Sequence, residues 1–245
     1  MKDLSLDKNY KKGNKGKKVK LIQEWLCLHG FHIMVDGIFG PATDYAVRQF
    51  QKRERLDVDG IVGEKTFGRL IQPMTNALMP LPKDEKSLGQ MVVAYAEQHW
   101  KQHPLEIGGQ NKGPWVRLYM EGNEGSEWSW CAGFGCFILK QACQNLDVPL
   151  PIHTSFSCDV LAASAKEKGI FLGESRITDK TQISPGTFFL SRKTPADWTH
   201  TGIVIQAENE VFHTIEGNTN DNGHHEGYEV CKRIRGYKNK DFILI

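Results

Sequence analysis

The sequence predicts an α+β protein in two parts. A small three-helix bundle comes first, then a larger unit in which an antiparallel sheet packs on a buried helix. Three observations carry this expectation. Residues 19–71 show helical apolar spacing broken by Asp-Gly turns. The central run Trp128-Ser129-Trp130-Cys131-Ala132-Gly133-Phe134-Gly135-Cys136-Phe137-Ile138-Leu139-Lys140 is apolar enough for a buried helix. Strand-like runs are confined to residues 187–245.

At 245 residues the chain has room for one large domain or two smaller ones, and a hydrophobic content of 40% supplies packed cores. The net charge of +2, from 31 basic and 29 acidic residues, excludes a polyelectrolyte binder such as a bulk nucleic-acid partner. Residues 1–14 form a basic tail, and the lysine run that begins there continues to Lys20 against only Asp3 and Asp7. It reads as solvated and frayed, or as weakly attracted to an anionic polymer or nucleic acid. No apolar stretch approaches the ~18 residues of a membrane span. No apolar core follows the basic start, so a Sec-type leader is not expected and synthesis in the cytoplasm is. The six cysteines, Cys27, Cys131, Cys136, Cys143, Cys158 and Cys231, are too sparse for a disulfide scaffold and contain no Cys-x-x-Cys pair. They read as reduced thiols.

Residues 15–75 contain an internal repeat. Asp36-Gly37-Ile38-Phe39-Gly40-Pro41-Ala42-Thr43 recurs as Asp59-Gly60-Ile61-Val62-Gly63-Glu64-Lys65-Thr66. Helices are predicted around these turns at 19–29, 42–52 and 65–71, the second opened by Pro41. These segments, with Val19-Lys20-Leu21-Ile22-Gln23-Glu24-Trp25-Leu26 and Ala46-Val47-Arg48-Gln49-Phe50-Gln51, resemble a peptidoglycan-binding domain of the three-helix type. The resemblance implies a module that holds the chain on cell-wall glycan or peptide. Asp36 and Asp59 themselves read as fold determinants, because Asp bonds local backbone and Gly supplies φ > 0.

Residues 76–87 read as a semi-stiff linker, with Pro80 and Pro82 followed by mixed charge. The second domain is expected over 88–245, with Ser87 as N-cap of its first helix. Within it, a Gly-containing loop runs into the central apolar helix and places Cys131 at that helix's N-terminus. Unpaired N–H groups and partial positive charge there favour a thiolate, and the same N–H groups can face an oxyanion. A further helix is predicted at 159–168 and strands at 187–190, 201–206, 211–215 and 241–245.

The segment 200–218 reads as a β-hairpin. A three-residue loop Ala207-Glu208-Asn209, with Asn209 left-handed, would pair Val204 with Phe212 and His200 with Glu216. His200, Glu216 and Asn218 then gather at the hairpin's open end. An imidazole there can take a proton from a thiol and return it to a leaving amine. Glu216 would orient the imidazole, and Asn218 would either orient it too or polarise a substrate carbonyl.

Trp130-Cys131-Ala132-x-Phe134, His200-Thr201-Gly202-Ile203-Val204 and Glu216-Gly217-Asn218 resemble the CHAP family of cysteine, histidine-dependent amidohydrolases and peptidases, part of the papain-like NlpC/P60 superfamily. Residues 106–113 and Val116-x-x-Tyr119 resemble one of its branches. The resemblance implies a papain-like fold whose sheet packs on the nucleophile helix. It also implies hydrolysis of a peptidoglycan amide through a thioester, with Cys131, His200, Glu216 and Asn218 as catalytic residues. Where many members carry Gln before the nucleophile, this chain carries Trp130. No cofactor and no metal are expected. Glu121, Asn123, Glu124 and Glu127 lack a calcium-loop pattern, and His213, His224, His225 and Cys231 fit no zinc spacing.

The composite expectation is a wall-binding N-acetylmuramoyl-L-alanine amidase or endopeptidase. It would act on the wall or periplasm after phage-type lysis or specialised secretion, the second route implying an immunity protein as partner. The alternatives are a non-catalytic wall-binding protein and an amidase acting on a soluble peptide conjugate.

Overall fold

The structure is a computed structural model that describes residues 2–220 and 227–245. Among these there are eight α-helices and six strands. They are α1 (Lys17–Leu28), α2 (Pro41–Arg53), α3 (Glu64–Leu70), α4 (Gln72–Leu78), α5 (Leu88–Trp100), α6 (Pro114–Tyr119), α7 (Cys131–Leu146), α8 (Cys158–Glu167), β1 (Phe171–Leu172), β2 (Phe188–Thr194), β3 (Asp197–Ala207), β4 (Val211–Thr219), β5 (Glu229–Gly236) and β6 (Lys240–Ile243). Every α-helix precedes every strand, and the strands form one antiparallel sheet ordered β1-β6-β2-β3-β4-β5. The chain is α+β with an antiparallel sheet. The strand signal missed β1 and β5, and the helix signal missed α4 and α6.

The sequence repeat becomes a structural one. Buried Gln23 of α1 donates Nε2 to Asp36 Oδ1 at 2.8 Å, to the Ile38 carbonyl at 3.0 Å and to Thr43 Oγ1 at 3.1 Å, and its Oε1 accepts from the Gly37 N–H at 2.7 Å. Gln51 of α2 repeats the set on Asp59, Ile61, Thr66 and Gly60 at 2.8, 3.0, 3.2 and 2.9 Å. Each Asp-Gly turn therefore closes around one amide, and each Asp also accepts from the backbone two residues on. Replacing Gln51 with alanine strands the buried Gly60 N–H and leaves the Ile61 carbonyl only Thr66 Oγ1 at 3.3 Å, a loss of about 1–3 kcal/mol. Urea unfolding checks this, and a loss below about 0.5 kcal/mol would mean the turn holds itself.

The lysine-rich start is not frayed. Tyr10 and Val62 exchange backbone hydrogen bonds at 3.0 and 2.7 Å, Gly13 N–H donates to the Phe39 carbonyl at 2.9 Å, and Lys15 bridges Ile38. The first residues thus stitch both Asp-Gly turns together. The proline-containing segment is tied down too. Gln98 Nε2 donates to the Ala77 and Met79 carbonyls at 3.0 and 2.8 Å, Gln141 to Ala77 at 3.0 Å and Asn145 to Leu81 at 2.8 Å. Ser87 and Gln90 complete the capping box that opens α5.

One half-buried cation, Arg117, joins α1 to α6. Arg117 donates to Glu24 Oε2 at 2.7 Å, Asp3 Oδ2 at 2.6 Å and Glu124 Oε2 at 2.6 Å. Beside it Trp25 meets Trp115 edge-on at 6.2 Å. Burial pushes the Glu24 carboxyl upward, against the pull of Arg117.

Strand alternation gives the sheet two apolar faces. Phe188, Leu190, Ile203, Ile215 and Ile243 join the core that includes α5 and α7, while Phe189, Val204, Phe212 and Phe242 form a second cluster. Two glycines let the parts approach closely. A Cβ on Gly217 would sit 2.7 Å from Phe134 Cβ of α7, and one on Gly202 would sit 2.6 Å from Glu216 Cγ.

Candidate active site

Cys131 is the first residue of α7, where four backbone N–H groups lack helical partners. The preceding Trp130 is fully buried and held from two sides. Its Nε1 donates to Glu106 Oε1 at 2.8 Å, and its ring stacks on Tyr119 at 5.5 Å. Glu106 also accepts the Asn111 N–H at 2.7 Å, so the 106–113 loop fixes the entry to α7. The α7 N-terminus thereby has a defined place against β3.

The hairpin differs in register from the expectation. Ile203 pairs with Ile215 and Val204 with Thr214, so Val204 is not opposite Phe212 and Glu216 falls opposite Gly202 rather than His200. An irregularity between Val204 and Gln206 changes the count before Ala207 pairs with Phe212. The Glu208 N–H then bonds the Val211 carbonyl at 2.9 Å across a two-residue link, Asn209-Glu210. Asn209 is not left-handed, whereas Asn218 is, at φ 55°. The displacement at the open end is two residues, an even number, so His200 and Glu216 keep a common face. Their side chains meet diagonally, with His200 Nε2 2.8 Å from Glu216 Oε2.

With Nε2 engaged by Glu216, Nδ1 is the ring nitrogen that remains for the Cys131 thiol, and the two groups shift each other's pKa. Cys131 is 4% exposed, His200 1% and Glu216 0%. The neighbouring Cys158 thiol lowers the Cys131 pKa well below the ordinary thiol range. Burial opposes it, and the His200 imidazolium and a Thr201 backbone hydrogen bond add to it. Burial pushes His200 down, but bonds to Cys131 and Glu216 outweigh it and raise the ring to about 9. Burial pushes Glu216 up, but Arg235 and His200 bring it to about 2. The lowered Cys131 pKa and the raised His200 pKa favour a thiolate–imidazolium pair beside the Glu216 carboxylate, the combination that nucleophilic attack on a carbonyl requires.

Asn218 is buried, and neither its Oδ1 nor its Nδ2 has a hydrogen-bond partner. The imidazole is oriented by Glu216, not by Asn218. Sequence reasoning missed two contributors. Cys158 opens α8 under the Ser157 cap and reaches Cys131, and Arg235 of β5 grips Glu216. Cys136 lies elsewhere, its Sγ on the Ser155 carbonyl at 3.3 Å and its pKa raised to about 11 by burial. Among the described residues no three His, Cys, Asp or Glu gather as metal ligands, and His224 and His225 lie outside those residues.

Cys158→Ala removes the thiol donor beside Cys131, so the Cys131 thiol should titrate at higher pH. Iodoacetamide alkylation at pH 6 then slows, while Cys158→Ser, which keeps a donor, stays near wild type. Equal rates in all three would remove Cys158 from the site.

The family described as a putative peptidoglycan binding domain matches residues 15–70, so the N-terminal part of the chain carries a domain of that family. The chain is similar to a spore cortex-lytic enzyme of Bacillus cereus, 40% identical over 62 residues, which cover 25% of this chain and 24% of that protein. It is also similar to the zinc D-Ala-D-Ala carboxypeptidase of Streptomyces albus G, 35% identical over 72 residues, 28% of each. The crystal structure of the SleB N-terminal domain matches with 37% identity and a TM-score of 0.27, covering 27% of this chain and 93% of that one. The chain thus spans less than a third of the length of the curated relatives it matches.

Proposed function

We propose that the chain is a cell-wall hydrolase that binds peptidoglycan through residues 15–70 and cleaves an amide of the wall peptide with the Cys131–His200–Glu216 array. The observation that carries this reading is the 2.8 Å His200–Glu216 bond beside a thiol at a helix N-terminus. The Cys131 thiolate adds to the amide carbonyl, and N–H groups of the first turn of α7 receive the oxyanion. His200 gives its proton to the leaving amine as the C–N bond breaks, leaving a thioester on Cys131. Water, losing a proton to His200, then adds to the thioester, and its breakdown frees the carboxylic acid and restores the thiol pair. The unpartnered Asn218 amide is the side chain offered to the substrate carbonyl.

The order of motifs supports the CHAP-type, papain-like assignment, and the wall-binding domain supports peptidoglycan as partner. Amidase and endopeptidase action both fit the site. So do the settings of a lytic enzyme and of a secreted effector with its immunity protein. The test is digestion of purified peptidoglycan. New amino groups should appear without new reducing sugar ends, chelators should leave the rate unchanged, and iodoacetamide should abolish it. Loss to chelators with resistance to iodoacetamide would move the chemistry to a metal.

A further inference from the structure

We propose that Arg235 is a positioning residue, whose guanidinium fork fixes both oxygens of Glu216 so that one meets His200 Nε2 and holds the imidazole against Cys131. The role deepens the proposed chemistry and rests on it. Arg235 is not the cross-strand neighbour of Glu216, since the β4–β5 register pairs Arg235 with Phe212 and Glu216 with Cys231. Its side chain runs back along the sheet past Thr214 to reach the carboxylate. There Arg235 Nε donates to Oε1 at 2.9 Å and Nη2 to Oε2 at 2.6 Å.

These contacts complete a full set. Oε1 accepts from Arg235 and from Thr214 Oγ1 at 2.5 Å, and Oε2 accepts from Arg235 and His200 at 2.8 Å. Four donors fill the roughly four lone-pair positions of a carboxylate. The terminal torsion of a Glu side chain is otherwise broad. Among the described residues, the arginine is the one donor that touches both oxygens, so it sets the rotation that aims Oε2 at the imidazole. Phe189 backs the arrangement, with its ring 5.9 Å from both the imidazole and the guanidinium carbon.

Arginine's planar fork distinguishes this role from simple charge neutralisation, which a lysine would also supply. The charged and titratable groups around the pair are His200 of β3, Cys131 of α7, Lys240 of β6 and, beside Arg235, Cys231 of β5.

The test is the pH dependence of iodoacetamide alkylation at Cys131, followed from acid to neutral pH in folded wild type, R235K and R235M, with Cys131→Ala as blank. In wild type the anchored imidazolium keeps the thiolate into the acid range. Without the fork, Glu216 takes up a proton at higher pH and the acid limb moves up. A one-unit move lowers the alkylation rate on that limb about tenfold. R235K should move the limb despite keeping its charge, and R235M should move it further. E216Q and E216Q/R235M should share one acid limb, because Arg235 acts only through Glu216, and this pair decides the matter if R235M alone does not fold. A purely structural role would lower the melting temperature and leave the limb in place. An unmoved limb in R235K, or a further move in the double variant, overturns the positioning role while leaving Cys131 as nucleophile. Absence of any fast-reacting thiol in wild type overturns both.

Discussion

Replacing Cys131 with alanine should stop the release of amines from peptidoglycan, by at least about 10⁴-fold in rate. Without the thiolate there is no covalent route, and binding with an oxyanion site alone gives only residual catalysis. Retention on insoluble wall should be unchanged in the same variant, because wall binding is proposed for the domain at residues 15–70 and Cys131 lies on a different helix. The pH profile follows from the two groups. The thiolate exists above the lowered Cys131 pKa, and the proton for the leaving amine is present on His200 below about 9. Activity should therefore be flat through neutrality, falling on the alkaline side near pH 9 and, on the acid side, only well below neutrality. Rates measured on suspended wall at fixed ionic strength check both limbs. A residual rate within tenfold of wild type would place the nucleophile elsewhere.

Arg117→Met should be the most damaging substitution for stability, costing about 3–5 kcal/mol. The guanidinium is the common partner of Asp3, Glu24 and Glu124, and Glu24 is only 2% exposed. Removing it leaves the buried Glu24 carboxylate with only the longer 3.7 Å ion pair to half-exposed Lys20. The sign with pH is fixed by the Glu24 carboxyl, which burial already pushes upward. Losing Arg117 pushes it higher, so the folded state holds a proton that the unfolded chain has released. Unfolding free energy then rises as pH falls through that window, and the deficit against wild type shrinks from pH 8 toward pH 5. Adding Glu24→Leu to Arg117→Met should recover much of the loss, because it replaces a buried charge held only by Lys20 with apolar volume. Urea titrations at the two pH values measure this, and a deficit independent of pH would mean that Glu24 is not the group responsible.

Much of the site was legible because periodicity is robust to small errors. The start of α7 at Cys131 followed from a small-residue loop entering an apolar helix. His200 and Glu216 were assigned a common face correctly although the register was two residues off, since strand alternation depends only on parity. The irregularity near Ile205 and the two-residue link Asn209-Glu210 could not be read from the sequence, because nothing at Ile205 marks a bulge by residue type. Arg235 was invisible for a different reason. In β5, Lys232, Arg233 and Arg235 look like a solvated edge, and the diagonal reach to Glu216 depends on the fold. Cys158 lies far from Cys131 in sequence, and only the packing of α8 beside α7 and β3 joins the two thiols. The lysine-rich start looked frayed because its order comes from backbone bridges to Val62 and Ile38, which no side-chain pattern announces.

The most direct measurement is labelling of wild-type protein with one equivalent of iodoacetamide at pH 6, with peptide mapping and residual activity on peptidoglycan read from the same sample. Of the six cysteines, Cys131 should take the label first, and wall-amine release should fall in proportion to its occupancy. Label spread evenly over the cysteines, or activity that survives full modification of Cys131, would contradict a thiolate mechanism at this site.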